Sequence, residues 1–254
     1  MVVSTTQVAR LTPARPTIPG PGEVRVWLTE LDPGATVVDR MVAVLSPDER
    51  GRAARFHFRR DAMRWIVARA TLREVLGRCL RTEPSAIAFT YGKNGKPALA
   101  EATGGADLQF SVAHSADLAA YAVAVGVPVG VDVERLRPID ELETIAERTF
   151  SQRECAVLRA LPAELRPAGF FSCWTRKEAY IKVLGEGLSY PLQRFSVSLE
   201  PGVPARLEAV ADAPAHVQTW TIEALPLGPG FAGAVVVATR PARVVCERWG
   251  EPSR

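Results

Sequence analysis

Charge of one sign is what this chain most plainly lacks: 31 basic residues face 28 acidic ones over 254 positions, a net of +3. So small an excess permits an anionic ligand but gives no reason to expect a nucleic-acid partner. Cysteine is scarce. Cys79, Cys155, Cys173 and Cys246 lie far apart, so there is no CxxC metal or redox motif, and four reduced thiols are expected. Long apolar runs are missing as well. The longest, Tyr121–Val131, is broken by Gly126, Pro128 and Gly130 and is too short to span a bilayer. The opening MVVSTTQVARLTPARP has no signal-peptide apolar stretch, so a cytoplasmic protein without a membrane partner is expected. What the chain does have is a 47% hydrophobic content, enough for a packed core in one large domain or two small ones.

Residues 1–22 carry Pro13, Pro16, Pro19 and Pro21 and read as a flexible tail; residues 241–254 look similar, with Trp249 as a possible anchor. VRVWL (24–28) alternates as a half-buried strand does. Ser46-Pro47-Asp48-Glu49 opens a helix, with serine as the cap, proline at the first position and acids in the first turn. A long helix is predicted over 61–81, then strands near 87–91, 108–112, 121–125 and 129–134. Helices at 139–148, 151–160 and 167–184 precede strands at 195–199, 218–225 and 231–239. This order predicts an α+β protein of two similar halves, 23–127 and 128–240.

Several patterns bear on chemistry. In Val129-Gly130-Val131-Asp132-Val133-Glu134 the valines share one strand face and Asp132 and Glu134 share the other. That is either a solvated face or a seat for a hard divalent cation. In FSCWTRKEAYIK (171–182), Trp174, Glu178 and Lys182 fall on one helical stripe, with Lys177 beside them. The stripe is either a core tryptophan beside an intrahelical ion pair, or a third carboxylate and two lysines suited to a metal-bound pyrophosphate. Lys93-Asn94-Gly95-Lys96-Pro97 is a stiff turn that projects Lys96. His114-Ser115, just after a strand, is a candidate phosphate contact, and the arginines from Arg50 to Arg64 are either a solvated face or an anion grip.

Taken together, GVDVE, WTRKEAYIKVLGEGL, NGKPAL, VAHS and SPDERGRAARFHFRRDAMR resemble, in order and separation, the motifs of Sfp-type phosphopantetheinyl transferases over roughly 24–240. The resemblance implies two pseudo-symmetric α+β halves with coenzyme A and the active site between them. It implies that Asp132, Glu134 and Glu178 gather Mg²⁺ and that Lys177 and Lys182 meet the pyrophosphate. Gly95, Lys96 and Pro97 would line the adenine end, His114 and Arg52 would meet the 3′-phosphate, and Arg64 matches an arginine near the same pocket. Ala113, Glu49 and Trp65 depart from the pattern; some relatives have serine, a basic residue and a small polar residue there. The implied reaction moves 4′-phosphopantetheine from coenzyme A to a serine of an apo carrier protein or carrier domain, of a peptide synthetase, polyketide synthase or fatty-acid synthase. Glu178 and Lys182 are the expected catalytic residues. A chain with both halves can close one site alone, so a monomer is expected. Two alternatives stand: a Mg²⁺-dependent pyrophosphohydrolase, and a relative that binds coenzyme A or a carrier without turnover.

Overall fold

The computed structural model describes residues 18–32 and 35–249, so most of the expected 1–22 tail lies outside the described residues. Strand β1 (Glu23–Glu30) opens the fold. Its alternation divides two cores: Val24, Val26 and Leu28 face one, Trp27 the other. Helices α1 (Ala35–Val42), α2 (Pro47–Ala53) and α3 (Arg59–Leu80) follow. The hairpin β2 (Phe89–Tyr91) and β3 (Pro97–Leu99) comes next, then β4 (Leu108–Ser115) and β5 (Leu118–Val125). The second half runs β6 (Val129–Arg135), α4 (Leu142–Thr149), α5 (Gln152–Ala160) and α6 (Arg166–Leu184). It closes with the hairpin β7 (Phe195–Val197) and β8 (Leu207–Val210), a short α7 (His216–Thr219), β9 (Thr221–Ala224) and β10 (Phe231–Val237).

The α+β architecture of two similar halves is thus the one observed. The halves share one topology. Their sheets run β1-β5-β4 and β6-β10-β9, so the first strand pairs with the last and the last with the one before it. In each half a long helix precedes a small hairpin and covers one sheet face, α3 on the first and α6 on the second. The remaining faces meet each other. Val24, Val26, Leu28, Ala120, Ala122 and Ala124 pack against Val129, Val131, Val133, Val235 and Val237. Sheets buried on both faces explain why β5 reads as an unbroken apolar run instead of alternating.

One departure concerns the end of the chain. The segment read as a tail from 241 contributes β11 (Arg243–Arg248), which lies parallel to β1 at the sheet edge. Trp249 then packs edge-on against Trp27, at 6.2 Å between ring centroids. Another departure is at 216–219, where a helical turn precedes the strand expected from 218.

Two local features position the site. Ser111 and Ser115 of β4 accept hydrogen bonds from the backbone N–H groups of Val131 and Arg135, tying β4 to β6 across the halves. Gly130 lets α6 lie directly on β6, since a Cβ there would come within 2.0 Å of the Ala179 carbonyl. The helix stripe bearing Glu178 and Lys182 is thereby brought to the face of β6 that carries Asp132.

Candidate active site

Asp132 is buried on β6, and Lys182 reaches it from α6: the Lys182 ammonium donates to Asp132 Oδ1 at 2.8 Å and to the Val131 carbonyl at 3.0 Å. The other Asp132 oxygen, Oδ2, and Oε1 of Glu178 are buried without a hydrogen-bond partner. Glu134 is half-buried, and its Oε2 accepts the Ser115 hydroxyl at 2.6 Å. Desolvation, against the pull of Lys182, pushes the Asp132 carboxyl up to about 6. Desolvation and the neighbouring Asp132 and Glu134 charges push Glu178 up to about 7. Like charges crowded in a low-dielectric pocket resist ionisation until a cation joins them. Among the described residues no three His, Cys, Asp or Glu side chains converge into a closed metal site. Lys182 and Ser115 occupy two of these acids instead. The orphaned oxygens of Asp132 and Glu178 nonetheless fit a hard, oxygen-seeking ion such as Mg²⁺, which binds through one or two carboxylates and keeps its waters.

Beside this cluster a cavity of about 560 Å³ opens between the halves, walled by Gly95–Pro97 on the hairpin, Phe110–Val112 on β4, and Glu178 and Lys182 on α6. The hairpin tip is pinned over the end of α6. Asn94 donates to the Gly185 carbonyl at 3.1 Å, and the Lys96 ammonium donates to the Lys182 carbonyl. Burial and the Lys182 charge hold Lys96 below the usual lysine range. His114 is held low by burial and by Lys182, against the opposing pull of Glu134. Of the three acids, Glu178 alone lines the cavity between the halves; a larger one, about 960 Å³ along β9 and the 201–206 loop, is lined by none of them.

Residues 128–238 match the model of the 4′-phosphopantetheinyl transferase superfamily, and residues 30–126 match that of the 4′-phosphopantetheinyl transferase N-terminal region. The 4′-phosphopantetheinyl transferase HetI of Nostoc sp. (strain PCC 7120) is 38% identical over 216 residues, 85% of this chain and 88% of that one. The family is settled by that match. This chain belongs to the 4′-phosphopantetheinyl transferases. Sfp of Bacillus subtilis (strain 168) is 31% identical over 79% of this chain and 85% of its own length, and psf-1 of Bacillus pumilus is 34% identical over 73% and 78%.

For a 4′-phosphopantetheinyl transferase, the structure corrects several residue assignments. Lys177, expected on the pyrophosphate, is fully buried on a different face of α6. Its ammonium pairs with Glu154 at 2.8 Å and donates to the Leu192 and Phe195 carbonyls at 2.8 and 2.6 Å. Adjacent helical positions point about 100° apart, so Glu178 can line the cleft while Lys177 faces the core. Ser115 has a single O–H, and Glu134 takes it, so that proton is not free for a phosphate. Arg64 donates to both Asp32 oxygens, at 3.0 and 2.6 Å; like Arg52 and His114, it is not among the residues walling the cavity. Ala113 is packed in the apolar seam between the sheets, on the strand face away from His114. Arg52 is exposed, its guanidinium 5.4 Å from the Trp65 ring, so this departure supplies a platform for an arginine.

The Lys177 correction is testable. Lys177→Met leaves Glu154 buried without its cation and should cost about 3–5 kcal/mol of stability. The folded fraction should keep its coenzyme A affinity in calorimetry. A normal melting temperature with lost affinity would return Lys177 to the ligand.

Proposed function

We propose that the cleft between the halves transfers 4′-phosphopantetheine from coenzyme A to a serine of an apo carrier protein, releasing 3′,5′-ADP. The observation carrying this reading is the pair of buried, unpartnered carboxylate oxygens of Asp132 and Glu178, next to the open cavity that Glu178 and Lys182 wall, in a chain from this family. Asp132 and Glu178 would hold Mg²⁺, with Glu134 as the third acid. When bound, the ion neutralises pyrophosphate charge and stabilises the leaving phosphate. Lys182 exchanges its bond to Asp132 for the pyrophosphate and holds it in line. Gly95, Lys96 and Pro97 wall the adenine end, while His114 and Arg52 receive the 3′-phosphate. The carrier hydroxyl attacks the β-phosphorus, the bond from that phosphorus to the oxygen bridging to the α-phosphate breaks, and Glu178 accepts the serine proton. Catalysis is then mostly positioning and electrostatics.

Carrier domains of peptide synthetases, polyketide synthases and fatty-acid synthases are the candidate acceptors. The protein is proposed to act as a cytoplasmic monomer, since its own halves supply both walls of the cleft. No helix among the described residues is long and apolar enough to cross a membrane. Intact-mass spectrometry of apo carriers incubated with enzyme, coenzyme A and Mg²⁺ should reveal one added phosphopantetheine per carrier. Release of 3′,5′-ADP with every carrier left unmodified would point to hydrolysis and overturn the reading.

A further inference from the structure

Glu49 stands in the first turn of α2. It is buried, and both its oxygens are engaged. Arg69 Nε donates to Oε1, and Arg73 Nε donates to Oε2 at 2.7 Å. Oε2 also accepts the Ser46 N–H at 2.9 Å, closing the capping box of α2. Burial alone would raise this carboxyl, but the bonds from Arg73, Ser46 and Arg69 outweigh it and hold it below the ordinary range. A basic side chain here would be a third cation facing two arginines.

The two arginines extend the network away from α2. Arg73 donates to the Pro84 and Ile87 carbonyls at 2.9 and 2.7 Å, fixing the segment that enters β2. Arg69 lies over the Phe89 ring at 3.8 Å and donates to the Tyr91 hydroxyl at 2.8 Å. Tyr91 is paired in register with Pro97, and Gly92 N–H donates to the Lys96 carbonyl at 3.0 Å. One carboxylate thus ties the helix that carries Arg52 to the hairpin that carries Lys96.

We infer that Glu49 is a positioning residue for coenzyme A, locking α2 and the β2–β3 hairpin onto α3 so that Arg52 and Lys96 are presented together. The inference rests on the reading that Arg52 and the hairpin receive coenzyme A. Glu49 itself touches no substrate. Its contribution belongs to substrate binding and not to the chemical step.

The test uses Glu49→Gln, Tyr91→Phe, Arg52→Ala and the Glu49→Gln/Arg52→Ala double variant, assayed on a carrier that the wild type modifies. Glu49→Gln keeps the side-chain shape and a cap acceptor but removes the charge. It should raise KM for coenzyme A about tenfold, the scale of one charge-assisted hydrogen bond. The kcat at saturating coenzyme A and the KM for the carrier should stay within about twofold, a split that general destabilisation would not produce. In the Arg52→Ala background the same change should cost less than about threefold, because only its effect through the hairpin and Lys96 remains. Tyr91→Phe, at the exposed end of the network, should raise the coenzyme A KM about threefold in a protein of normal melting temperature, and it decides the matter if Glu49→Gln does not fold. An unchanged coenzyme A KM in a folded Glu49→Gln, or in Tyr91→Phe should Glu49→Gln fail to fold, overturns the inference. So does full additivity with Arg52→Ala. A wild type that transfers nothing to any carrier would instead overturn the functional reading, and the inference with it.

Discussion

Asp132→Ala should lower transfer by at least about 10³-fold, and EDTA should silence the wild type to the same degree. Asp132 is central to the acid cluster: one oxygen holds Lys182 and the other is buried without a partner. Removing it takes away an anionic ligand and leaves Lys182 without its counter-charge, so a divalent ion is poorly held against water. Stability supplies a second readout with a definite sign. Asp132 and Glu178 have folded pKa values near 6 and 7, above their ordinary 3.8 and 4.5. The folded state therefore binds more protons than the unfolded one between about pH 4 and 7, and in EDTA stability should fall as pH rises through that window. Glu178 is partly open to solvent, so its share is on the order of 1 kcal/mol, or ~2–4 °C in Tm at this chain length. Adding Mg²⁺ should reverse the loss above pH 7, and the reversal should vanish in Asp132→Ala. Full transfer in EDTA, or an equal Mg²⁺ response in the variant, would remove the metal from this cluster.

The cluster was legible because its geometry is local. Alternation along β6 puts Asp132 and Glu134 on one face, and helical spacing puts Glu178 and Lys182 on one stripe. Only the docking of α6 onto Gly130 was needed to join them. The fold was legible for a similar reason, because a cap marks α2 and apolar spacing marks α3 without reference to distant residues. Lys177 was not legible. Two successive basic or acidic residues on a helix carry no sign of which faces water, and its partner Glu154 looks like a routine first-turn acid that completes a capping box with Ser151. The same holds for Glu49, whose partners lie some twenty residues away on α3. Strand β11 escaped because half-exposed edge strands mix charge with valine, as Arg243-Val244-Val245-Cys246-Glu247-Arg248 does, and its pairing with β1 joins the two ends of the described chain.

Glu178→Gln should lower kcat by about 10²–10⁴-fold while coenzyme A affinity at saturating Mg²⁺ changes little. A serine hydroxyl is a weak nucleophile unless its proton leaves as it attacks. Glu178 stands at the cavity wall with one oxygen unpartnered, where a carboxylate kept ionised by a bound cation can accept a proton. The other nearby candidates are committed elsewhere. Glu154 is buried in its pair with Lys177, and it also accepts the Val197 N–H at 2.8 Å. His114 is proposed to meet the 3′-phosphate. Glutamine keeps the volume and one weak ligand oxygen but removes the basicity, so the loss should fall on the chemical step, as general-base removal does. Single-turnover transfer to an apo carrier, set beside calorimetric binding of coenzyme A, separates the two roles. If binding collapses while the bound fraction still turns over at the wild-type rate, Glu178 is a ligand only and the serine proton leaves by another route.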